Sequence, residues 1–267
     1  MTTIDTGTDK LLLDVDDGIA LVTFNQPEKH NALSLAIRTA LPPTLRRLQE
    51  DPGVRVVILT GAGDKAFVSG ADISEFGDLR TSPEARAEFD RVGAESAAAW
   101  LGLEKPIIAM IRGYCIGGGL LTAMQADIRI AAEGSQFGIP AARLGLGYGY
   151  GGVESLVALV GAGWAAEILF SARRLTAEEA LRIGLVNRVV PVDELRPTTM
   201  ELAGMIAENA PLTVAACKVA ITQSRLPPER RQMAHLADMI EACFRSQDYR
   251  EGQLAFAEKR TPRFTGR

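Results

Sequence analysis

Pro106-Ile107-Ile108-Ala109-Met110-Ile111-Arg112-Gly113-Tyr114-Cys115-Ile116-Gly117-Gly118-Gly119 carries an apolar run through a short turn into three glycines, and a helical pattern then runs to about Ala126. Pro106 to Ile111 reads as a buried strand, and a further apolar run, Ile128 to Ala132, follows the helix at once. Strand, helix and strand in that order argue for α/β layering around crossover units. Because the glycine triplet joins strand to helix, its amides lie at a helix N-terminus, where unpaired donors and the helix dipole favour negative charge. An oxyanion site can be built from backbone in this way, and tight packing of strand on helix explains the glycines equally well.

Upstream, Leu11 to Val15 and Ile19 to Phe24 are β-prone runs joined by Asp16-Asp17-Gly18, whose Asp-Gly step favours a tight hairpin. Ser34 is placed to cap a helix running towards Glu50, and Pro42-Pro43, which lack amide donors, should kink or divide it. Val54 to Thr60 is another continuous apolar strand. The loop after it, Gly61-Ala62-Gly63-Asp64-Lys65-Ala66-Phe67-Val68-Ser69-Gly70-Ala71-Asp72-Ile73, lacks the Gly-Lys-Ser or Gly-Lys-Thr of a phosphate-binding loop. Gly147-Tyr148-Gly149-Tyr150-Gly151-Gly152 matches the glycine spacing of a dinucleotide site. No strand of useful length precedes it and no acidic residue ends a strand about twenty positions on, so it reads as a turn entering a helix.

From Thr176 the texture changes. Thr176 with Glu179 makes a capping box, Leu185 to Val190 is one more strand, and the remainder is almost wholly helical. The expected helices are Asp193 to Asn209, Pro211 to Ser224, Pro228 to Arg245 and Asp248 to Glu258, broken by Asn209-Ala210-Pro211 and Leu226-Pro227-Pro228. The chain therefore divides into an α/β core over 1–192 and a helical region over 193–267.

With 267 residues, 47% of them hydrophobic, the chain can bury a full core. Its 29 basic and 33 acidic side chains, net charge -4, show no basic stripe, which makes nucleic acid a poor partner. Cys115, Cys217 and Cys243 lie far apart without ligand spacing, so neither a disulfide framework nor a metal site is read, and a reducing cytoplasm is expected. Met1 to Lys10 is polar and acidic, unlike a signal or transit peptide. No segment reaches the roughly 18 uninterrupted apolar residues of a membrane span, so no membrane association is expected.

Taken together the segments resemble the crotonase family, also called the enoyl-CoA hydratase/isomerase family, over almost the whole chain. Asn25-Gln26-Pro27-Glu28-Lys29-His30-Asn31-Ala32-Leu33 is similar to its Asn-Arg-Pro...Asn-Ala-Leu segment. Lys65-Ala66-Phe67 with Gly70-Ala71-Asp72-Ile73 resembles its first oxyanion loop, and Gly113 to Gly119 followed by Ala126-Asp127-Ile128-Arg129-Ile130-Ala131 resembles the second. Gly184-Leu185-Val186 and Ala255-Phe256-Ala257-Glu258-Lys259-Arg260 complete the series.

The resemblance implies an α/β fold, a spiral of βα repeats with a C-terminal helical trimerisation region, assembled as trimers or pairs of trimers. It implies oxyanion amides at Ala71 and Gly118, with an acyl-CoA thioester as ligand and coenzyme A entering as part of the substrate rather than as a cofactor. Lys29, His30, Phe67, Ala71, Asp72 and Ile73 would border the coenzyme, while Phe256 and Lys259 would reach its nucleotide end, often from a neighbouring subunit.

The two glutamates with which the family's hydratases handle water correspond here to Leu121 and Ala141, neither of which can move a proton. A third carboxylate position, used by related isomerases and a dehalogenase, falls near Gly149 and is also empty. Tyr148 resembles the tyrosine of the family's methylmalonyl-CoA decarboxylases, a reaction that needs an electron sink more than a base; it could equally pack its ring in the core. Tyr150 is a lesser choice. Glu75 reads as a proton carrier or as a solvated first-turn helix residue, Cys115 as a packed thiol, and Arg143 as an ion-pair partner or an anchor for an anionic acyl group. Asp72 and Asp127 match positions that are structural as often as functional, and His30 and His235 lie in unrelated segments. Three functions follow: an acyl-CoA enzyme working through an oxyanion hole with the two-glutamate hydration in doubt, a decarboxylase using Tyr148, or a catalytically silent acyl-CoA binder.

Overall fold

The computed structural model describes residues 2–72, 75 and 83–267. The chain opens with β1 (Thr2–Ile4), β2 (Leu11–Asp16) and β3 (Ile19–Phe24), paired antiparallel. Asp17 and Gly18 both take positive φ, 43° and 79°, which is the two-residue hairpin turn that the Asp-Gly step favours. Helix α1 (Leu35–Glu50) leads to β4 (Val56–Gly61) and β5 (Ala66–Val68). After α2 (Pro83–Leu101) come β6 (Ile107–Ile111), β7 (Tyr114–Ile116) and α3 (Gly118–Met124), then β8 (Ile128–Ala132), β9 (Gln136–Gly138) and α4 (Tyr150–Ser171).

Two sheets result. The larger runs β1-β2-β3-β4-β6-β8-β11, parallel from β3 onward, where β11 is Arg188–Val190; the smaller runs β10-β9-β7-β5, where β10 is Leu175–Thr176. Consecutive strand pairs (β4 with β5, β6 with β7, β8 with β9) place one member in each sheet before a helix returns the chain. Each turn thus repeats the last one strand over, which makes the fold a spiral.

Strand β4 explains why its sequence shows no alternation. Val57 and Leu59 enter the core cluster that contains Leu45 and Leu48 of α1, whereas Val56 and Ile58 enter a second cluster with Leu195, Ala203 and Ala207 of α6 (Leu195–Ala207). Both faces are covered over Val56 to Leu59, so all four of those residues are apolar. Helix α6 begins just past residue 193 and still packs on the large sheet.

Several expectations are corrected. Pro42 and Pro43 leave α1 undivided as a 16-residue helix, with Thr44 Oγ1 donating to the Ala40 carbonyl at 2.8 Å. Leu185 and Val186 are buried but not extended, because their amides both bond back to the Ala180 carbonyl, and only Arg188–Val190 pairs as a strand. The expected helix from Pro228 is split into a 3-10 turn, Pro228–Arg230, and α8, Met233–Arg245. By contrast α7 (Pro211–Ser224) has the expected ends, α9 (Gln247–Glu258) begins one residue early, and Thr176 with Glu179 closes the full capping box of α5 (Ala177–Arg182).

Helix α4 has 22 residues, and an 18-residue stretch of it has mean hydropathy 1.6, long and apolar enough by composition to cross a membrane. Gly161, φ 76°, interrupts it, and Leu156, Val160, Ala165 and Ile168 enter the interior of the fold.

The residues after α9 fold back over it. Asp248 accepts from the amides of Thr265 (2.7 Å) and Gly266 (2.8 Å), and Arg260 clasps Glu251 at 2.6 and 2.9 Å. The Arg260 guanidinium, helped by the Arg263 amide, holds the Glu251 carboxyl down at about 2 from its ordinary 4.5. A depressed carboxyl stabilises the fold above its ordinary value and loses that contribution as pH falls through the folded one. Amide protection factors of residues 260–267, taken against the intrinsic exchange rate at each pH, are therefore expected to fall progressively below pH 4.5 towards pH 2, and the variant Glu251→Gln should flatten that profile.

Candidate functional site: a pair of backbone amides

The centre of the site is a single parallel bridge between Leu33 and Ala71. The Leu33 amide donates to the Gly70 carbonyl at 2.7 Å and the Asp72 amide donates to the Leu33 carbonyl at 3.2 Å. In parallel pairing a residue bonded to both neighbours of its partner leaves that partner's own amide pointing the other way. Ala71 N–H is thereby turned from Leu33 towards the start of α3. There Gly118 occupies the first helical position, whose amide has no carbonyl before it in the helix to accept it. A methyl built on Gly118 would stand 3.6 Å from Ala71 N, and one built on Gly70 would stand 3.8 Å from Gly118 N. The two amides expected from the sequence are brought together.

Buried amide side chains brace this bridge. Asn31 is wholly buried at φ 55°; its Nδ2 donates to the carbonyls of Ala62 (2.9 Å) and Ala66 (2.7 Å), and its Oδ1 accepts from the Gln26 amide (2.9 Å). Gln26 Nε2 donates to the Ala32 carbonyl at 2.9 Å and to Ser34 Oγ at 3.0 Å. Ser34 therefore spends its hydroxyl on Gln26 and does not cap α1, contrary to expectation. The cap comes from Glu75, whose Oε2 accepts the Leu35 amide at 2.7 Å. Glu75 is thus neither a solvated turn residue nor a free carboxylate.

Leu121 and Ala141 both pack against the main core, as the side chains of apolar residues do. Tyr148 joins them there: a methyl on Gly152 would meet Leu121 Cδ2 and Tyr148 Cε1, each at 2.9 Å. The Tyr148 hydroxyl is sealed from solvent, and among the described residues it is the buried side-chain polar atom that finds no hydrogen-bond partner. Burial alone pushes its pKa well up, so it stays protonated. A protonated, partnerless hydroxyl is a donor in search of an acceptor.

The other expected residues are dispersed. Lys29 Nζ pairs with Asp72 Oδ2 at 2.7 Å, and this hydrogen bond raises the Lys29 pKa. His30 is exposed at φ 52° and meets the Tyr114 ring edge-on at 6.1 Å. Phe67 is fully buried against Phe24, centroids 5.8 Å apart, so only its backbone can border a ligand. Ile73 lies outside the described residues. Phe256 is 88% exposed and lines an apolar groove of 730 Å³ with Phe244 and Tyr249, while Lys259 takes φ 54° at the end of α9. Among the described residues, none around Ala71 or Gly118 lines that groove.

Burial pushes the Cys115 thiol up, as befits an inert core residue. Tyr150 is 77% exposed. Arg143 is exposed and joins none of the described ion pairs. Asp127 accepts the Ile107 amide at 2.7 Å and pairs with Lys218 at 3.1 Å, a structural role. His235 pairs with Glu104 at 2.7 Å. Among the described residues no group of three His, Cys, Asp or Glu side chains could hold a metal. Sequence reading missed Gln26 and Asn31, although a buried Asn among glycine-like turns is the residue that best tolerates positive φ.

A two-sheet spiral of βα repeats with helices closing the chain is the class of crotonase folds. The chain belongs to the enoyl-CoA hydratase/isomerase family, whose sequence model matches residues 14–267. It is similar to the short-chain-enoyl-CoA hydratase of Clostridium acetobutylicum, 40% identical over 94% of this chain and 95% of that one. The crotonyl-CoA hydratase of Syntrophomonas wolfei is 38% identical over 96% of this chain and 98% of its own. Among solved structures, an enoyl-CoA hydratase/carnithine racemase from Magnetospirillum magneticum superposes with TM-score 0.89 at 35% identity, covering 98% of this chain and 97% of that one.

Proposed function

We propose that this protein is an acyl-CoA thioester enzyme that holds the thioester carbonyl oxygen between the amides of Ala71 and Gly118 and so stabilises the enolate formed at the α-carbon. The observation that carries this reading is the Leu33–Ala71 bridge, which turns one amide outward beside an unpaired helix-start amide. Preorganised donors of this kind cost no reorganisation as charge develops, and each is worth about 3 kcal/mol of transition-state stabilisation. The names of the relatives support an enoyl-CoA or related acyl-CoA as the substrate. Lys29, His30, Phe67, Asp72 and Ile73 would border the coenzyme, with Phe256 and Lys259 at its nucleotide end, and no separate cofactor is needed. Assembly as a trimer or dimer of trimers belongs to the same reading and is supported by the exposed apolar groove on α7 to α9; a cytoplasmic location is part of the reading as well.

Leu121 and Ala141 supply no proton carrier, so water addition by two glutamates is not the reaction proposed. A second reading is favoured by the partnerless Tyr148 hydroxyl: it would orient the carboxylate of a methylmalonyl-CoA-like substrate while carbon dioxide departs and the two amides receive the enolate. Loss of all turnover with binding kept would instead define a silent acyl-CoA binder.

Crotonyl-CoA, methylmalonyl-CoA and butyryl-CoA separate these readings when hydration, carbon dioxide release and binding are followed in parallel. Rapid crotonyl-CoA hydration would sink the claim about the absent glutamates, and failure to bind any thioester would sink the proposal. Tyr148→Phe should abolish carbon dioxide release while making the fold more stable by about 1 kcal/mol, since it deletes an unsatisfied buried polar group. Loss of release together with loss of stability would count against a catalytic tyrosine.

A further inference from the structure

We propose that Glu75 is a positioning residue that fixes the direction of the Ala71 amide by tying the chain at Glu75 to the first turn of α1, an inference that rests on the oxyanion reading of that amide. An alanine has no side chain with which to orient itself, so the aim of its N–H depends on how the backbone is held on either side. Gly70, just before it, stands at φ 117°, a region in which the chain is held only by its surroundings. Upstream the path is pinned by main-chain bonds, Ser69 N to the His30 carbonyl at 3.1 Å and Leu33 N to the Gly70 carbonyl at 2.7 Å.

Downstream the Asp72 amide bonds the Leu33 carbonyl at 3.2 Å, and beyond that bond side chains extend the anchoring. Asp72 pairs with Lys29 at 2.7 Å, the Glu75 amide donates to the Asp72 carbonyl at 3.1 Å, and the Glu75 carboxylate accepts the Leu35 amide at 2.7 Å. Leu35 is the first residue of α1; an N-cap side chain serves the second or third helical amide instead, and Ser34, engaged by Gln26, makes no cap bond at all. A carboxylate is the favoured group at that end of a helix dipole. Helix α1 is in turn fixed by Ile37, Leu41, Leu45 and Leu48 in the main core. Glu75 therefore references a soft, glycine-preceded amide to the rigid interior, where small misplacements of a catalytic donor are costly.

The geometry offers two independent ways to cut the same bond. Glu75→Ala removes the acceptor. Leu35→Pro removes the donor at the one helix position where proline is pre-organised, and Ser34 before it already has the extended conformation, φ -71° and ψ 165°, that proline requires. Glu75→Gln keeps an acceptor oxygen and serves as the rescue.

Isotope-edited infrared spectra of bound butyryl-CoA read the polarisation of the thioester carbonyl directly, with or without turnover. Wild-type protein should lower the carbonyl frequency on binding, and Glu75→Ala and Leu35→Pro should each lose most of that lowering. The double variant should lose no more than either alone, and Glu75→Gln should retain the shift. On a thioester that the wild type turns over, kcat should fall on the order of tenfold with KM little changed. Thermal melts show that each variant is folded. A full wild-type shift in both single variants would overturn the positioning role while leaving the oxyanion reading intact. Absence of a shift in the wild type itself would overturn both.

Discussion

Gly119→Ala is expected to cost about 3 kcal/mol or more of folding stability, lowering the melting temperature by about 6–12 °C for a chain of this size. A methyl at Gly119 would be driven into the Val68 carbonyl oxygen, with Val68 C at 2.7 Å and Val68 Cβ at 2.9 Å. Val68 and Gly119 are both fully enclosed in the layer where β5 meets α3, and backbone atoms cannot swing aside as a side chain can. The strand would have to move, taking the Gly70-Ala71 segment with it. A melt that matches the wild type would show that β5 and α3 are not packed as described.

Gly118→Ala, one residue earlier, should do the opposite. Its methyl meets Leu33 Cδ1 at 3.5 Å and Ala71 N at 3.6 Å, ordinary contacts, and Gly118 begins a helix in which alanine is the better residue. Melting should be unchanged or slightly raised. The same methyl, however, stands in front of the Ala71 amide, in the space a carbonyl oxygen needs to reach both donors. Turnover is expected to fall on the order of a hundredfold, the usual effect of losing one oxyanion donor. A variant that melts as wild type and also turns over as wild type would refute the role given to this pair. Neighbouring glycines of one triplet would then separate cleanly into one that the fold requires and one that the chemistry requires.

What the sequence disclosed was what is set by near neighbours. The Asp17-Gly18 turn and the Thr176–Glu179 capping box depend on residues within four positions of each other, and both are found as read. The unbroken apolar runs of β4 and β6 record burial on both faces, which is enough to specify a layered α/β fold. Ordered motifs then pointed to Ala71 and Gly118, which the fold places side by side. What could not be read is non-local. Phe67 looks like a loop residue until Phe24 is laid against it. Glu75 resembles a solvated first-turn residue until the end of α1, forty positions away in sequence, is brought beside it. Pro42 and Pro43 argue for a broken helix by local rules, and the buried residues Ile37, Leu41, Leu45 and Leu48 override them.

The outward turn of Ala71 has one more consequence, and it concerns inheritance. Both donors of the proposed oxyanion site are main-chain atoms, so they are encoded by the path of the backbone and not by the identity of a side chain. At Ala71 and Gly118 only a proline codon deletes the donor outright. Substitutions at Leu121, Ala141 and Tyr148 exchange side chains near the glycine-rich loop and leave both N–H groups in place. A chassis of this kind would let the steps that move protons be rewritten one residue at a time while the proposed means of stabilising an enolate is passed on unchanged.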